Sequence, residues 1–489
     1  MDGLDPDVLE RWWDDLPNFR RLRDEGMFRR VDSVYPPDSI PAWATIYTGV
    51  TPDYHAILDS VDYLDVNSRS FRCDTSGLRG NSFWDAAGEQ GKRVCIINPF
   101  MAYPVWPVNG IMVNGPVFVT GDVQAYPESI LSEYEVPELG GIVDTPSNKT
   151  LGSFAEKTMK LAEDHLRFSK ELFGREKWDL FFINFLMLDR VQHAYWRYSD
   201  PDDPTYPGRN PYSEVIKDFY LFHDRVLGEF LDMMDEDTVL MVLSDHGHGR
   251  RCTKALLVNE LLRQRGLLKS KVKGKLDPKY WIEKTKVFVL RTLDKYDLQD
   301  LSYKIGKLIP GAKALKKSTF VIDSVGSTAG VARFSGMNPY GGIDLPRTAF
   351  DSDDAYEAAV DGLIADLMTL KDPKTGRNVV KWAKRREEMF RGPYATVYPE
   401  VIFQLDFDYG VSRSLFGPLV DVNPTHKQIS GGHMPQAALL TNRRTPILED
   451  EGMSIVSIAP SILRLLGVEA PESMTSPESV CAAADTGGN

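Results

Sequence analysis

The sequence predicts a doubly wound α/β fold, in which a mostly parallel sheet has helices on both faces. Short apolar runs over residues 93–97, 179–188 and 238–243 have the composition of strands that are buried on both sides. Longer amphipathic segments, over residues 153–173 and 212–234, alternate with these runs. Such alternation favours parallel βαβ units. Because polar residues directly follow the second and third runs, we expect a functional site along the carboxyl edge of the sheet.

The composition limits the classes of protein to consider. A chain of 489 residues has room for one large α/β domain with insertions, or for two domains. Its net charge of −13 disfavours a nucleic acid polymer as a partner, because such partners need a basic face. Four cysteines without a C-x-x-C spacing indicate neither a disulfide framework nor a thiolate metal site. No apolar run is as long as a membrane span and no signal peptide is visible, so we expect a cytoplasmic protein.

The most informative stretch covers residues 31–57. A strand-like run over 31–35 meets two prolines, which cannot continue a strand's hydrogen-bond ladder. Pro41 fits an early position of the helix predicted over 42–47. Ser39 therefore lies at or just before a helix N-terminus, where free N–H groups favour an anion. Taken alone, this serine is either a helix cap or a nucleophile that attacks phosphorus.

The other regular elements are predicted from periodicity and from glycine and proline positions. They are helices over 8–25 (interrupted near Pro17), 254–266, 356–370 and 458–466, a loop-and-hairpin region over 103–119, and strands over 401–405 and 437–440.

A basic insertion interrupts this acidic chain. Residues 263–317 are rich in lysine around an apolar core that includes Trp281, Val289 and Leu293. One interpretation is a solvated helical cap; the other is a cap that attracts anionic substrates or contacts a membrane surface. The predicted domains are then a core in two parts (1–253 and 341–473), a basic helical cap (254–340) and a disordered tail (474–489).

Carboxylates and imidazoles follow the predicted strands. Asp189 and His193 are four residues apart, which puts both on one face of a helix. Asp245 and His246 are adjacent at the end of another strand, and His433 follows two glycines. Mixed carboxylate and imidazole donors without thiolate suit zinc, with manganese as the alternative.

Several motifs along the chain resemble those of the type I phosphodiesterase/nucleotide pyrophosphatase branch of the alkaline phosphatase superfamily. They run in the family's order and cover nearly the whole chain, which makes the resemblance specific, and the fold that it implies is alkaline phosphatase-like. The motifs lie at residues 17–26, 36–49, 52–57, 189–196, 244–247, 431–433 and 458–467.

The resemblance implies a metal-dependent phosphohydrolase with two divalent metal ions, most simply Zn²⁺, and a small phosphorylated substrate. Ser39 would be the nucleophile, and the phosphoserine that it forms would be hydrolysed by water. By the same resemblance, one ion is held by Asp189, His193 and His433. The other is held by Asp2, Ser39, Asp245 and His246. The histidines that match no family ligand, and that we expect to be structural, are His55, His165, His223, His248 and His426.

This sequence departs from the family at its start. Asp2 and Gly3 match an Asp-Gly pair that in the family follows a buried strand, and that strand is missing here. We therefore expect the natural chain to begin further upstream.

A second departure concerns the substrate. The signature H-G-I-x-D-N reads H-A-I-L-D-S at 55–60, so Ser60 stands where the family has Asn. A serine offers one donor where the amide offers two, which predicts poor cleavage of nucleotide diphosphate bonds. A lipid or sugar phosphodiester would then be the better substrate, unless a nearby arginine, Arg250 or Arg251, supplies the missing contact. The candidate residues for holding that substrate, besides the basic cap, are Trp43, Tyr47 and Trp196.

Three alternative functions stay open. A sulfatase would need an arginine at the position of Trp43, which disfavours it. A phosphomonoesterase or phosphomutase of the same superfamily shares the serine and the two ions. A non-catalytic binding protein with a decayed site is the third, and the retained ligands count against it. The sequence predicts no oligomeric state.

Overall fold

The structure is a computed structural model that describes residues 1–58, 77–118, 120–140, 145–298, 321–332, 334, 336–448 and 453–474. The helices in this part are α1 (Pro6–Arg11), α2 (Pro17–Glu25), α3 (Ser39–Thr48), α4 (Pro52–His55), α5 (Phe83–Glu89), α6 (Ile130–Glu133), α7 (Leu151–Phe173), α8 (Met187–Ser199), α9 (Val215–Met233), α10 (Val258–Gln264), α11 (Pro278–Lys295), α12 (Asp353–Thr369), α13 (Arg386–Met389) and α14 (Ile458–Leu465).

The strands in the same residues are β1 (Met27–Asp32), β2 (Val94–Ile97), β3 (Gly110–Asn114), β4 (Gln124–Tyr126), β5 (Leu180–Ile183), β6 (Met241–Leu243), β7 (Gly247–Arg250), β8 (Lys254–Leu257), β9 (Lys269–Ser270), β10 (Ile322–Asp323), β11 (Gly330–Val331), β12 (Tyr340–Asp344), β13 (Val380–Arg385), β14 (Val401–Leu405), β15 (Tyr409–Ser412), β16 (Val420–Val422), β17 (Gly431–Met434) and β18 (Gln436–Thr441).

The core contains a parallel unit of three strands. Its sheet has the order β4-β3-β2-β5, in which β2 runs parallel to both β3 and β5, and β4 closes one edge antiparallel. All four residues of β2 are buried, as expected for a central parallel strand. The strand β3 lies inside the region 103–119, which we predicted to be loop and hairpin. Its parallel pairing with β2 corrects that prediction.

A second core sheet lies beside the first. Its order is β1-β18-β6, and β18 is antiparallel to both neighbours. The first residues of the chain lie between the two sheets: the Met1 nitrogen donates to the Leu243 carbonyl at 2.9 Å, and the Asp2 amide donates to the Phe185 carbonyl at 2.9 Å. Asp2 is thus fixed between the ends of β5 and β6. The expectation that the natural chain starts further upstream stays a prediction.

Helices cover both faces of these sheets, which confirms the doubly wound prediction. The pairing is mixed and not mostly parallel: in the two sheets described above, two strand pairs are parallel and three are antiparallel. Alternation along β18 shows the two faces directly, because successive side chains of a strand point to opposite sides. Ala437 and Leu439 pack in the cluster that contains α3, α5 and α14, whereas Ala438 and Leu440 pack in the cluster of α7, α8 and α9.

Apart from β7 and β17, which pair with each other, the remaining strands form a second lobe in the described residues between 254 and 422. One of its sheets has the order β11-β12-β14-β13 and another the order β15-β8-β16. Its own apolar cluster joins Leu256, Ile343, Val360 and Phe403, so the predicted core boundary at residue 341 falls inside this lobe. The predicted helix over 254–266 begins as strand β8 and becomes helical at Val258. In its described residues the lobe is therefore mixed α/β and not purely helical.

The end of the described chain is packed and not disordered. Met474, which we placed in the predicted tail, is 1% exposed and belongs to the cluster of α3 and α14. Residues 475–489 lie outside the described residues. Every helix described here is too short or too polar to cross a lipid bilayer.

Two buried histidines make the stability of the core sensitive to acid. His165 on α7 and His223 on α9 both pack against Phe185. Burial lowers the pKa of His165 to about 3 and that of His223 to about 4. Because the unfolded chain binds these protons near the ordinary pKa of 6.5, stability is lost as the pH falls from about 6.5 towards 4.

We therefore predict that lowering the pH from about 7.5 to 5 reduces the stability of His165→Leu less than it reduces the stability of the wild-type protein. The expected difference is about 2 kcal/mol in the free energy of unfolding, measured by urea titration with chelator present at both pH values. The neighbouring variant Leu166→Ala should be less stable at both pH values but keep the wild-type pH dependence. Equal pH dependence in His165→Leu and wild type would contradict the prediction.

Candidate metal centre

Ser39 is the first residue of α3, and another residue caps the helix. Asp38 has an extended backbone, and its Oδ1 accepts from the Ile40 amide at 3.2 Å. The Ser39 hydroxyl points instead at two predicted metal ligands. Its Oγ lies 3.1 Å from Nε2 of His246 and 3.4 Å from Oδ1 of Asp2. The structure thus leaves this hydroxyl at an anion-favouring helix end without a capping role.

Asp2, Asp245 and His246 form the first group. Oδ2 of Asp245 lies 3.2 Å from Nε2 of His246. The Gly3 amide donates to Oδ1 of Asp245 at 3.2 Å, and Gly3 needs its positive φ of 67° and its lack of a side chain to pass this close to Asp189. The indole Nε1 of Trp43 donates to Oδ2 of Asp2 at 3.0 Å.

A single oxygen of Asp189 is the centre of the second group. Nε2 of His193 lies 3.3 Å from Oδ1 of Asp189, and Nε2 of His433 lies 3.4 Å from it. The two Nε2 atoms are 2.9 Å apart. The first turn of α8 supplies Asp189 and its next turn supplies His193, as the four-residue spacing predicted. The strand β17 supplies His433.

Backbone carbonyls fix the orientation of three imidazole rings. Nδ1 of His193 donates to the Gly431 carbonyl at 2.9 Å, and Nδ1 of His433 donates to the Pro37 carbonyl at 3.0 Å. Nδ1 of His246 donates to the Gly247 carbonyl at 3.0 Å. In a neutral ring held this way, Nε2 carries a lone pair and no proton. The three rings therefore present acceptors to a space that already contains carboxylates, as metal-binding histidines do.

The electrostatics of the two groups favour added positive charge. Burial, followed by the charge of Asp245, raises the pKa of Asp2 well above its usual range, and burial raises the pKa of Asp245 to about 7. Burial opposes ionisation of Asp189 too, but the neighbouring histidines outweigh it and hold that pKa well below its usual range. Oδ1 of Asp189 and Oδ2 of Asp245 are buried without a hydrogen-bond partner among the described residues. Orphaned carboxylate oxygens beside imidazole nitrogens fit divalent cations.

The structure thus brings together all seven residues of the predicted metal set. Donor atoms that lie within 4.8 Å of one another form three overlapping candidate groups in the described chain: Asp2, Asp245 and His246; Asp189, His246 and His433; and Asp189, His193 and His248. The third group contains His248, which we expected to be structural. The signal that sequence reasoning passed over is the two-residue spacing of His246 and His248, which in an extended segment puts both side chains on one face.

The other unassigned histidines have hydrogen-bond or packing roles. His55 contacts the Thr45 hydroxyl through Nε2 at 3.0 Å, and Nε2 of His426 lies 2.9 Å from Oδ2 of Asp203. His165 and His223 pack in the core, as described above.

A cavity of about 430 Å³ opens beside these groups. Its walls include His193 and His433 from the core, Arg250 and Arg251 at the end of β7, and Tyr340 from the second lobe. Arg250 forms an ion pair with Asp408 at 2.7 Å. Both lobes therefore shape this cavity, whose walls also include Asp38 and Ile40, the neighbours of Ser39.

The predicted substrate-binding residues divide into two sets. Arg250 lines the cavity. Trp43 and Tyr47 lie stacked on each other in the core, at 1% and 0% exposure, which corrects their assignment to the substrate. Trp43 donates to Asp2, and Tyr47 packs against Trp43. Trp196 is also buried and stacks on His248 at 5.8 Å between ring centroids. Ser60 lies outside the described residues.

Two comparisons of sequence connect this geometry to known proteins. The model of the family described as "Type I phosphodiesterase / nucleotide pyrophosphatase" matches residues 1–318. Venom phosphodiesterase CdcPDE of Crotalus durissus collilineatus is 30% identical over 157 residues, which are 30% of this chain and 18% of that protein. Ectonucleotide pyrophosphatase/phosphodiesterase family member 3 of Rattus norvegicus is 28% identical over 122 residues, 24% of this chain and 13% of that protein. The matches span less than a fifth of these curated relatives.

A solved structure shows the same fold. Phosphonoacetate hydrolase from Sinorhizobium meliloti 1021, in complex with phosphonoacetate, superposes with a TM-score of 0.58 at 15% identity, over 95% of this chain and 94% of that chain. The fold expected from the sequence is thereby confirmed. Since the family model covers more than half of the 489 residues and its motifs converge at one place in the fold, the chain belongs to the type I phosphodiesterase/nucleotide pyrophosphatase family.

Proposed function

We propose that the protein is a metal-dependent hydrolase of phosphodiester or pyrophosphate bonds and that Ser39 is its nucleophile. The observation that carries the proposal is the position of the Ser39 hydroxyl: it lies at the start of α3, within 3.4 Å of one carboxylate and one imidazole of the candidate metal groups. Family membership and the names of the relatives support the reaction class.

Two divalent cations, most simply Zn²⁺, fit the donors. Asp189, His193 and His433 would hold one ion. Asp2, Ser39, Asp245 and His246 would hold the other. When bound, these cations supply the positive charge that lowers the pKa of a serine hydroxyl and offsets charge on phosphoryl oxygens.

The protein groups account for the remaining steps. The Ser39 Oγ forms a bond to phosphorus while the bond from phosphorus to the leaving oxygen breaks. The free amides at the start of α3 favour the negative charge that builds on the phosphoryl group. Water then cleaves the bond between Oγ and phosphorus, which releases phosphate or a phosphate monoester and restores the hydroxyl.

The substrate is a small phosphorylated molecule. The cavity of about 430 Å³ limits its size, and Arg250 and Arg251 on the cavity wall suit an anionic group. Apolar walls from Ile40, Phe334 and Tyr340 suit an uncharged organic portion.

The first prediction of this proposal concerns the nucleophile. Ser39→Ala should lose roughly a thousandfold or more in kcat on a chromogenic phosphodiester, because the attacking atom is removed. Metal content and melting temperature should stay close to wild type. Ser39→Thr, which keeps a hydroxyl, is the matched control and should retain measurable turnover. A labelled phosphoryl group trapped on any residue other than Ser39 would refute the assignment.

The second prediction concerns the ions. Chelation should abolish turnover, and Asp189→Asn and His246→Ala should each lower the bound zinc measured by mass spectrometry. His426→Asn changes a buried histidine outside the candidate groups and should keep the wild-type zinc content. Full turnover of metal-free protein would contradict the mechanism.

We also propose that the protein contacts anionic membrane surfaces through α11. Trp281 and Phe288, seven residues apart on one face of this helix, are 60% and 68% exposed, and Tyr296 continues the face. Lys284 and Lys295 flank these rings in a chain of net charge −13. The helix is attached to the second lobe by an ion pair between Arg291 and Asp421. Exposed aromatic rings between lysines suit the interface of a bilayer with anionic lipids.

The protein should therefore cosediment with phosphatidylcholine vesicles that contain phosphatidylserine, and added salt should weaken the binding. Because each lysine near such a surface contributes about 1 kcal/mol, the double variant Lys284→Gln/Lys295→Gln should bind roughly 30-fold more weakly. Leu221→Ser removes an exposed apolar side chain of α9 and is the control. Equal binding to vesicles without phosphatidylserine, or no binding, would contradict the proposal.

A further inference from the structure

We propose that His248 is a direct protein ligand, through Nδ1, of the ion held by Asp189 and His193. The inference rests on the metal centre proposed above and adds to it a residue outside the family's ligand set. It predicts that one of the two ions is bound by an additional imidazole from β7.

The position of His248 around Asp189 matches that of the other ligands. Its Nδ1 lies 3.3 Å from Oδ1 of Asp189, the same oxygen that lies 3.3 Å from His193 and 3.4 Å from His433. Donor atoms bound to one zinc ion at about 2.0–2.1 Å in tetrahedral geometry are separated by roughly 3.4 Å. Three imidazole nitrogens thus stand at ligand spacing from a single carboxylate oxygen.

The ring is buried and lacks hydrogen bonds. His248 is 1% exposed, and neither ring nitrogen has a hydrogen-bond partner among the described residues. An unsatisfied buried ring alone does not indicate a ligand, but here Oδ1 of Asp189, which faces the ring, is buried without a hydrogen-bond partner as well. The contact with Asp189 is close in distance but fails as a hydrogen bond in geometry, and a shared cation satisfies both groups.

The surroundings of His248 hold the ring in place. Its amide donates to Oδ2 of Asp5 at 2.9 Å, and its ring stacks on Trp196. The register of β7 with β17 sets His248 opposite His433. On the far side, a Cβ on Gly431 would stand 2.5 Å from Nε2 of His248 and 2.3 Å from the Gln192 carbonyl oxygen. Only glycine leaves room here for the ring.

The decisive test is ¹⁵N NMR of the imidazole nitrogens in the zinc-loaded wild-type protein, with His248→Asn to identify the signals. The expected result is a zinc-bound Nδ1 and a protonated Nε2 for His248. A protonated Nδ1 in the zinc-loaded protein would make the residue a hydrogen-bond donor to Asp189 and would overturn the proposal.

Zinc affinity provides a second measurement. In competition with a chelator, His248→Asn should bind one of the two ions at least roughly tenfold more weakly. His426→Asn, also a buried histidine, should bind both ions as the wild type does. Unchanged affinity in His248→Asn would overturn the proposal.

The failures of the two proposals are distinguishable. A wild-type protein that binds no zinc refutes the metal centre itself. A wild-type protein that binds two ions, with His248→Asn unchanged, refutes only the role of His248. If His248→Asn does not fold, His248→Gln replaces it in the chelator competition. The protonation state of the His248 ring in the wild-type NMR spectrum then still decides whether Nδ1 binds zinc.

Discussion

The burial of three carboxyl groups within a few ångströms of one another is the constraint on which the candidate site depends. Asp2, Asp189 and Asp245 are each at most 2% exposed, and the imidazole rings beside them present lone pairs and not N–H groups. Repulsion between such groups is weakly screened in a protein interior. The cations proposed above would offset this repulsion, so we expect metal binding and the final packing of this region to be coupled.

The carboxylates converge because three separate parts of the chain end at the same place. Asp189 follows β5, Asp245 follows β6, and backbone hydrogen bonds hold Asp2 between the ends of these strands. The antiparallel pair of β7 and β17 then brings His433 over Asp189 from the C-terminal part of the sequence. Cations bound here would connect segments more than 240 residues apart, which gives them a structural role beside the chemical one.

Sequence reasoning predicted what depends on local pattern and short motifs. Two such local features are present in the structure. One is the helical spacing of Asp189 and His193, and the other is the strand that ends before Asp189 and before Asp245. The lobe boundary was misplaced because the sequence of an apolar strand such as β14 does not indicate which sheet the strand joins. Trp43 was wrongly assigned to the substrate because its burial depends on packing across the fold, which a local sequence pattern does not show. His248 was missed because its neighbours come from β17 and α8, far away in sequence.

The hydroxyl of Tyr35 connects the second lobe to the segment that carries Ser39. It donates to the Phe403 carbonyl of β14 at 2.7 Å and accepts from the Gly341 amide of β12 at 2.9 Å, and the Tyr398 hydroxyl donates to the Tyr35 carbonyl at 2.6 Å. Only three residues separate Tyr35 from Ser39. A tilt of the lobe that widened the cavity for a bulkier substrate would therefore also displace the segment before Ser39. If Ser39 is the nucleophile, as proposed, a change in substrate range by this route would also change reactivity.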